Sequence, residues 1–368
     1  MAVVAVELIV TSHFPPVWRL LDTGVRRAAE NMALNRALLE ARQSDVAPNT
    51  IRFLGFEPSA LLGFHQSAEQ ELDLDYCAAN GVTVQRRITG GGAIYMDADQ
   101  LGWELYVDRR ALGLAEMSQI AEKICTAAAT GLQQLGVNAQ FRPRNDIEVE
   151  GRKLSGTGGA FDGEALMYQG TLLLRFDVEK MLRVLRIPAE KLADKAIASA
   201  RDRVTSLAVL LDVVPERVAI IATLSKALAN AFGVSLQAGE LNAAEIGLYE
   251  AALKEIDHPD WVYGVSKPAT DRPTVTAQRK FAGGTLRVNV AYDLPQQRLR
   301  QVWFSGDVFI SPRRTLMDLE SRLRDVLIGR MPVTVEDFFA ERQVDALGIT
   351  PQNIVELIQA ALVDVPVI

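Results

Sequence analysis

With 368 residues, 49% of them hydrophobic and 23% charged, the chain has globular composition and enough length for one large domain or two unequal ones, which excludes a disordered or fibrous protein. The formal net charge is −7 and lysine and arginine form no block, which excludes an extended nucleic-acid or polybasic membrane surface. Two cysteines, Cys77 and Cys125, supply neither a disulfide framework nor a zinc cluster and fit a reducing cytoplasm.

The N-terminal "MAVVAVELIV" is apolar but holds Glu7 and lacks a basic leader, so it reads as a strand or loose arm and not as a signal peptide. "WRLLDTG" is a short apolar run followed by a helix in which Ala33, Leu34, Ala37 and Leu38 recur at helical spacing. "TIRFLGF" (Thr50–Phe56) and "ALLGF" (Ala60–Phe64) read as strands, followed by one helix through Tyr76 that ends near Asn80–Gly81. "VTVQRRIT" is a strand feeding Gly90, Gly91 and Gly92, and "GAIYM" and "LGWELYV" continue as strands. An alanine-rich helix spans about Ser118–Leu135 and stops at Gly136. In "NDIEVEGRKLSGTGGAF" Ile147 and Val149 alternate with Glu148 and Glu150, and Gly151 turns a hairpin into Lys153–Gly156. "YQGTLLLRF" is a further strand.

Beyond Arg203 the pattern turns helical, with one helix after Pro215 stopped by Gly233 and a second over "NAAEIGLYEAALKEI". Asp257–Pro273, dense in Pro, Gly and Asp, is the expected boundary and hinge between residues 1–262 and 263–368. Past it, "GGTLRVNVAYD" and "RLRQVWFSGDVF" read as paired strands and "TLMDLESRLRDVL" as an amphipathic helix. The fold class is therefore α+β, with a large mixed-sheet domain and a small C-terminal α/β accessory domain.

With only three histidines, His13, His65 and His258, a Ser-His-Asp triad or a multi-histidine metal site is poorly supported. No G-x-x-x-x-G-K-[ST] phosphate loop is present, and Phe161 breaks the dinucleotide fingerprint in "GTGGAF". What remains is phosphate-compatible: Arg86 and Arg87 before the glycine run, Asn145–Asp146 opening the hairpin, and Lys153 followed by Ser155, Gly156, Gly158 and Gly159. Glycines let backbone N–H groups approach an anion, arginine offers a fork of donors, lysine a movable charge, and Asp beside Asn offers hard oxygens to Mg²⁺. Taken singly, each has a plainer reading: three glycines make a turn, Asn-Asp is turn chemistry, and one lysine past a hairpin is a solvated charge. Their joint order in the chain carries the argument.

That order, "RRITGGGAIYMD", "RNDIEVEGRKLSGTGGAF", "YQGTLLLRFD", "KAIASARDRVTSL", resembles the lipoate–protein ligase family, and "LLGFHQ" and "DWVYGVSKP" also match its pattern. The resemblance implies the biotin/lipoate ligase type of mixed sheet with a C-terminal accessory domain. It implies ATP-dependent activation of lipoate to lipoyl-AMP, with Mg²⁺, and transfer to a lysine of an acceptor protein domain. Lys153 would be the central catalytic residue, bridging the lipoate carbonyl oxygen and the α-phosphate. Arg87 would clamp an anion, Thr89 and Gly90–Gly92 would line the lipoyl tunnel, and Ala93, Ile94, Tyr95, Met96 and Asp97 would present a backbone edge to adenine. Asn145 and Asp146 would face the phosphates and Mg²⁺, while Ser155, Gly156, Thr157 and Gly158, with Gln169, Gly170 and Thr171, would wall the adenylate. Lys195 would close over the intermediate. A cytoplasmic monomer binding neither nucleic acid nor membrane is expected.

Five residues at three sites depart from the family pattern: Met96 and Tyr168–Gln169 stand where histidines are usual, and Asn35–Arg36 where acidic residues are common. The rival readings are an octanoyl or lipoyl transferase using a cysteine thioester, a biotin–protein ligase, whose G-R-G-R-type loop is missing, and a non-catalytic lipoate or lipoyl-AMP binder. Against the transferase, Cys77 and Cys125 both fall in helices and are expected to lie away from the glycine and lysine elements.

Overall fold

The computed structural model describes residues 16–113, 116–143, 145–186, 201–266 and 270–363. Its longer strands are β1 (Val17–Arg26), β2 (Thr50–Phe56), β3 (Ser59–Leu62), β4 (Thr83–Arg86), β5 (Ile94–Met96), β6 (Gln100–Asp108), β7 (Gln140–Arg142), β8 (Asp146–Val149), β9 (Arg152–Asp162), β10 (Ala165–Leu173), β11 (Ser235–Ala238), β12 (Thr274–Phe281), β13 (Gly284–Asp293) and β14 (Arg298–Gly306), and two-residue strands Ile310–Ser311 and Asp345–Ala346 pair separately. The large sheet is eight-stranded and mixed, in the order β11-β1-β2-β6-β10-β9-β8-β7, with β1 parallel to both neighbours.

Period-two alternation sorts the side chains of the central strands onto two chemically different faces. On β6, Leu101, Trp103, Leu105 and Val107 join the core under helices Met117–Gln134 and Arg217–Phe232. The intervening Gly102, Glu104 and Tyr106 face helix Ala28–Gln43, itself backed by helix Ala243–Ile256. This second face also carries a small sheet, β4-β3-β5, with a core of its own that includes Ala60, Leu62, Cys77 and Tyr95. The second face is thus the one where the large sheet meets a helix and a smaller sheet.

The C-terminal unit is an antiparallel sheet β12-β13-β14 covered by helices Thr315–Arg322, Met331–Ala340 and Pro351–Leu362 around a separate apolar cluster from Leu286 to Ala361. It touches the first unit where Gly306 N–H donates to the His65 carbonyl at 3.0 Å and where Gln70 Oε1 accepts from Ser305 Oγ at 3.1 Å and from Arg287. Arg86, 2% exposed, lies on the same side and donates to the carbonyls of Gly63, Phe64, Gln66, Trp261 and Val262 at 2.7–3.2 Å. One buried guanidinium therefore ties the chain just before the expected boundary to the turn after β3.

The α+β class and the large mixed sheet agree with the sequence reading. The segment expected as one helix through Tyr76 is two, Ala68–Glu71 and Leu74–Ala79, because Asp73 caps the second by accepting Tyr76 N–H at 2.9 Å. β11, parallel to β1, and β12, the outer partner of β13, have no counterpart in that reading. No helix among the described residues is long and apolar enough to cross a membrane.

Candidate active site

A bulge sets the site. Across β8 and β9 the register runs Asp146 opposite Gly156, Ile147 opposite Ser155, and then Glu148 opposite Lys153, which leaves Leu154 unpaired. Leu154 and Ser155 both turn into the apolar core, and Lys153 is thereby re-aimed to the face of Asp146 and Gly156. The Lys153 backbone is pinned from its other side, donating N–H to Arg203 O at 2.8 Å and accepting Thr205 N–H at 2.9 Å. Arg203–Thr205 carries no individual role in the sequence reading, and only its place in the matched motif marks it.

Lys153 Nζ sits 2.8 Å from Asp146 Oδ1, with the two side chains 41% and 24% exposed. The contact lies off a hydrogen-bond line, so Oδ1 is held by charge and has no hydrogen-bond partner. Gly156, directly opposite Asp146, leaves the space through which the lysine passes, and a Cβ at Gly158 would meet nothing within 4 Å. Thr171, opposite Gly156, and Gln169, opposite Gly158, share this face. Ser155, Thr157 and Gly170 occupy the other one, where Gly170 makes room for the Trp103 ring. From this second face Thr157 clasps Asn145: N–H and Oγ1 donate to Asn145 O at 2.9 and 2.7 Å, and Asn145 Nδ2 donates to Thr157 O at 2.6 Å.

The position of Cys125 corrects the sequence reading. Its sulfur is 3.4 Å from Thr157 Oγ1 and 3.3 Å from the Tyr168 hydroxyl, directly behind the lysine hairpin, because helix Met117–Gln134 packs across the back of the sheet. The thiol is nonetheless fully buried, and that burial pushes its pKa up. Cys77 is 1% exposed in the small-sheet core, its thiol likewise raised by burial.

The glycine run forms the opposite wall. Arg87 is buried, donating Nη1 to Leu61 O at 2.8 Å and Nη2 to Gly90 O and Gly92 O at 3.1 and 2.9 Å. Burial, joined at Arg86 by the neighbouring Arg87 charge, lowers both Arg86 and Arg87 to about 10, and neither pairs with a carboxylate among the described residues. Arg87 thus braces the turn while leaving uncompensated positive charge inside the wall. Gly91 has φ +95°, and Gly90 and Gly91 lie against Val308 and Phe309 of the C-terminal unit. β5 is an edge strand, so its outer backbone edge is unpaired; Ile94 is exposed, Tyr95 and Met96 are buried, and Ala93 is half-buried. Asp97 closes a turn with Asp99 and Gln100. Two contacts join the walls: Gln169 Nε2 donates to Thr89 Oγ1 at 3.2 Å, and Thr171 Oγ1 lies 4.0 Å from Met96 Sδ. Lys195 lies outside the described residues.

A charged pair open on one side, glycine-lined backbone and a cationic turn can hold an anionic substrate and stabilise charge developing on its oxygen atoms. Among the described residues no cluster of three His, Cys, Asp or Glu side chains makes a metal site by itself. Over 270 residues the chain is 28% identical to the octanoyltransferase LipM of Kyrpidia tusciae, covering 67% of this chain and 98% of that one. It is 31% identical over 156 residues to the lipoate-protein ligase LplJ of Bacillus subtilis, covering 42% of this chain and 46% of that protein. In fold it is similar to P. falciparum LipL1 in complex with lipoate, with TM-score 0.69 over 93% of this chain and 98% of that one, at 15% identity. The profile of the lipoyl protein ligase A/B catalytic domain matches residues 27–233, from the helix facing Glu104 through both walls of the cleft, and the chain belongs to that family.

Proposed function

We propose that the chain is an ATP-dependent lipoate–protein ligase. One observation carries the choice within the family: the polar machinery open to the cleft is the Lys153–Asp146 pair, whereas both thiols of the chain are buried with raised pKa. A thioester route needs an accessible thiolate, and adenylation needs none. In the first step a carboxylate oxygen of lipoate bonds to the α-phosphorus of ATP while the bond to pyrophosphate breaks. Lys153, swinging from Asp146, neutralises the oxygen atoms brought together. In the second step the amine of an acceptor-domain lysine bonds to the acyl carbon, AMP leaves, and the surplus proton passes to solvent. Asp146, whose buried Oδ1 is held by the Lys153 charge alone, would offer a hard oxygen to Mg²⁺ once the lysine swings away, with Asn145 beside it in the chain. When bound, such an ion supplies charge neutralisation. The two unpaired cysteines support a reducing compartment.

The test is lipoate-dependent ATP–pyrophosphate exchange, followed by mass spectrometry of a lipoyl-acceptor domain incubated with the chain, ATP and lipoate. Exchange together with a lipoyl mass shift on one lysine is expected. A second reading, octanoyl transfer, is favoured by the likeness to LipM and by Cys125 lying behind the hairpin. Acyl transfer from an octanoyl thioester without ATP, abolished by Cys125→Ser, would establish it.

A further inference from the structure

Between helix Ala28–Gln43 and the functional face lies a charged cluster closed to solvent. Arg52 is 0% and Glu104 3% exposed. Arg52 Nη2 donates to Asn31 Oδ1 at 2.6 Å, and its Nη1 donates to Asn35 Oδ1 at 2.9 Å and to Glu104 Oε2 at 3.1 Å. Tyr106 donates its hydroxyl to Glu104 Oε2 at 2.7 Å. A buried ion pair gains little net stability over an apolar filling of the same space, so its more informative property is direction. A guanidinium only donates and a carboxylate only accepts. Asn35, held between them, has one allowed orientation, with Oδ1 toward Arg52 and Nδ2 toward Glu104 Oε1 at 2.9 Å. Asn35 Nδ2 also reaches Gln169 Oε1 at 3.4 Å, which sets the Gln169 amide and turns its Nε2 to Thr89 Oγ1 at 3.2 Å. Thr89 is 5% exposed at the head of the glycine run, and its hydroxyl hydrogen has no acceptor among the described residues.

We propose that Asn35, Glu104 and Arg52 are positioning residues: their fixed donor–acceptor order runs through Gln169 and holds the Thr89 hydroxyl as a donor toward a carboxylate or phosphate oxygen in the cleft. This rests on the ligand class of the proposed function and not on the transfer step. Asn35 and Gln169 are two of the positions that depart from the family pattern, and here they form consecutive links of one relay.

The test is calorimetric titration of the full chain with lipoate. Glu104→Gln removes the acceptor-only end and makes the site more positive. Simple electrostatics predicts tighter binding of an anion, whereas the relay predicts binding weaker by about tenfold, the value of a hydrogen bond to a charged group. Thr89→Val should cost a similar factor, and Glu104→Gln added to it should cost less than about twofold more, since coupled residues are not additive. Should Glu104→Gln fail to fold, Gln169→Leu, at a half-buried position, goes through the same cycle. Unchanged or tighter binding in Glu104→Gln, or an undiminished loss in the Thr89→Val background, overturns the relay. Binding that follows the cycle without pyrophosphate exchange supports the relay and overturns only the ligase reading; exchange without coupling overturns only the relay.

Discussion

The side chain of Lys153 lies across Gly156: a Cβ at that glycine would stand 2.7 Å from both Cε and Nζ of the lysine and 3.9 Å from Asp146 Oδ1. The bulge at Leu154 turns the lysine to this face, and the missing side chain lets it lie against Asp146. Gly156→Ala should displace only the flexible end of Lys153, so the fold should lose no more than about 1 kcal/mol. Pyrophosphate exchange should nevertheless fall by roughly tenfold or more, because a catalytic group moved by about 1 Å loses about that much or more. Exchange at the level of the unaltered chain would show that the parked position of Lys153 is irrelevant.

Replacing Lys153 itself separates charge from shape. Lys153→Ala should lower exchange by about 10²–10³, the scale for removing one preorganised charge-stabilising group. Melting should change little, since the side chain is 41% exposed. Lys153→Arg should not restore the rate, because a planar fork cannot repeat a point charge over Gly156. Near-normal exchange in Lys153→Ala would remove it from the chemistry.

The cysteines give the sharpest contrast between ligation and thioester transfer. The double variant Cys77→Ala, Cys125→Ala should lose stability, Cys125→Ala giving up contacts to Thr157 and Tyr168, but should keep exchange per folded molecule within about threefold. Native chain treated with a thiol reagent should show neither residue labelled, since both are buried and their thiols are held protonated. Abolished acyl transfer in a folded double variant, with ATP dispensable, would favour the transferase.

The order Arg87, glycine run, Asn145–Asp146, Lys153 was legible because each residue type has a local chemistry, and the hairpin about Gly151 was legible from alternation. Three things were not. The bulge at Leu154 changes which face Lys153 takes, and no residue in "GRKLSG" announces it. That Ser155 and Thr157 point away from the cleft follows from the same register, so their side chains belong to the core and their backbone to the wall. A cysteine in a helix gives no sign in sequence of lying near the lysine hairpin, yet a helix packed on the back of a sheet brings an inward residue under some strand, here Cys125 at Thr157. In sequence the glycines suggest a turn or room for a ligand. In the structure Gly90 and Gly91 also make room for Val308 and Phe309, a long-range contact that periodicity cannot reveal.

His65 links pH to the seat of the C-terminal unit. Its ring packs on Phe64 at 5.0 Å, and its carbonyl accepts Gly306 N–H. Burial, aided by Arg86, lowers its pKa from 6.5 to about 4. The unfolded chain therefore binds a proton between pH 6.5 and 4 that the folded chain refuses, so stability rises with pH across that window. The contribution is complete above pH 6.5 and is lost as pH falls toward 4, amounting to about 2 kcal/mol between pH 7 and pH 5. His65→Gln should flatten denaturant stability over this interval by about that amount. An equal slope in the variant would mean that His65 is not the titrating group.

The first and last glycines of the run, Gly90 and Gly92, should answer differently to one added methyl. At Gly90 a Cβ would collide with the Val308 carbonyl and stand 3.2 Å from Phe309 Cα, backbone that cannot rotate away. At Gly92 the nearest atom is Asp307 Cβ at 3.9 Å, an ordinary contact. Gly90→Ala should therefore force the Val308–Phe309 turn off the glycine run and cost about 2 kcal/mol or more, as overpacking does. Gly92→Ala should stay within about 0.5 kcal/mol. Limited proteolysis reads the difference: Gly90→Ala should speed cleavage within Asp257–Pro273 severalfold, because the two units lose part of what holds them together, while Gly92→Ala cleaves at the rate of the unaltered chain. Equal rates in all three proteins would mean that the glycine run does not seat the C-terminal unit in solution.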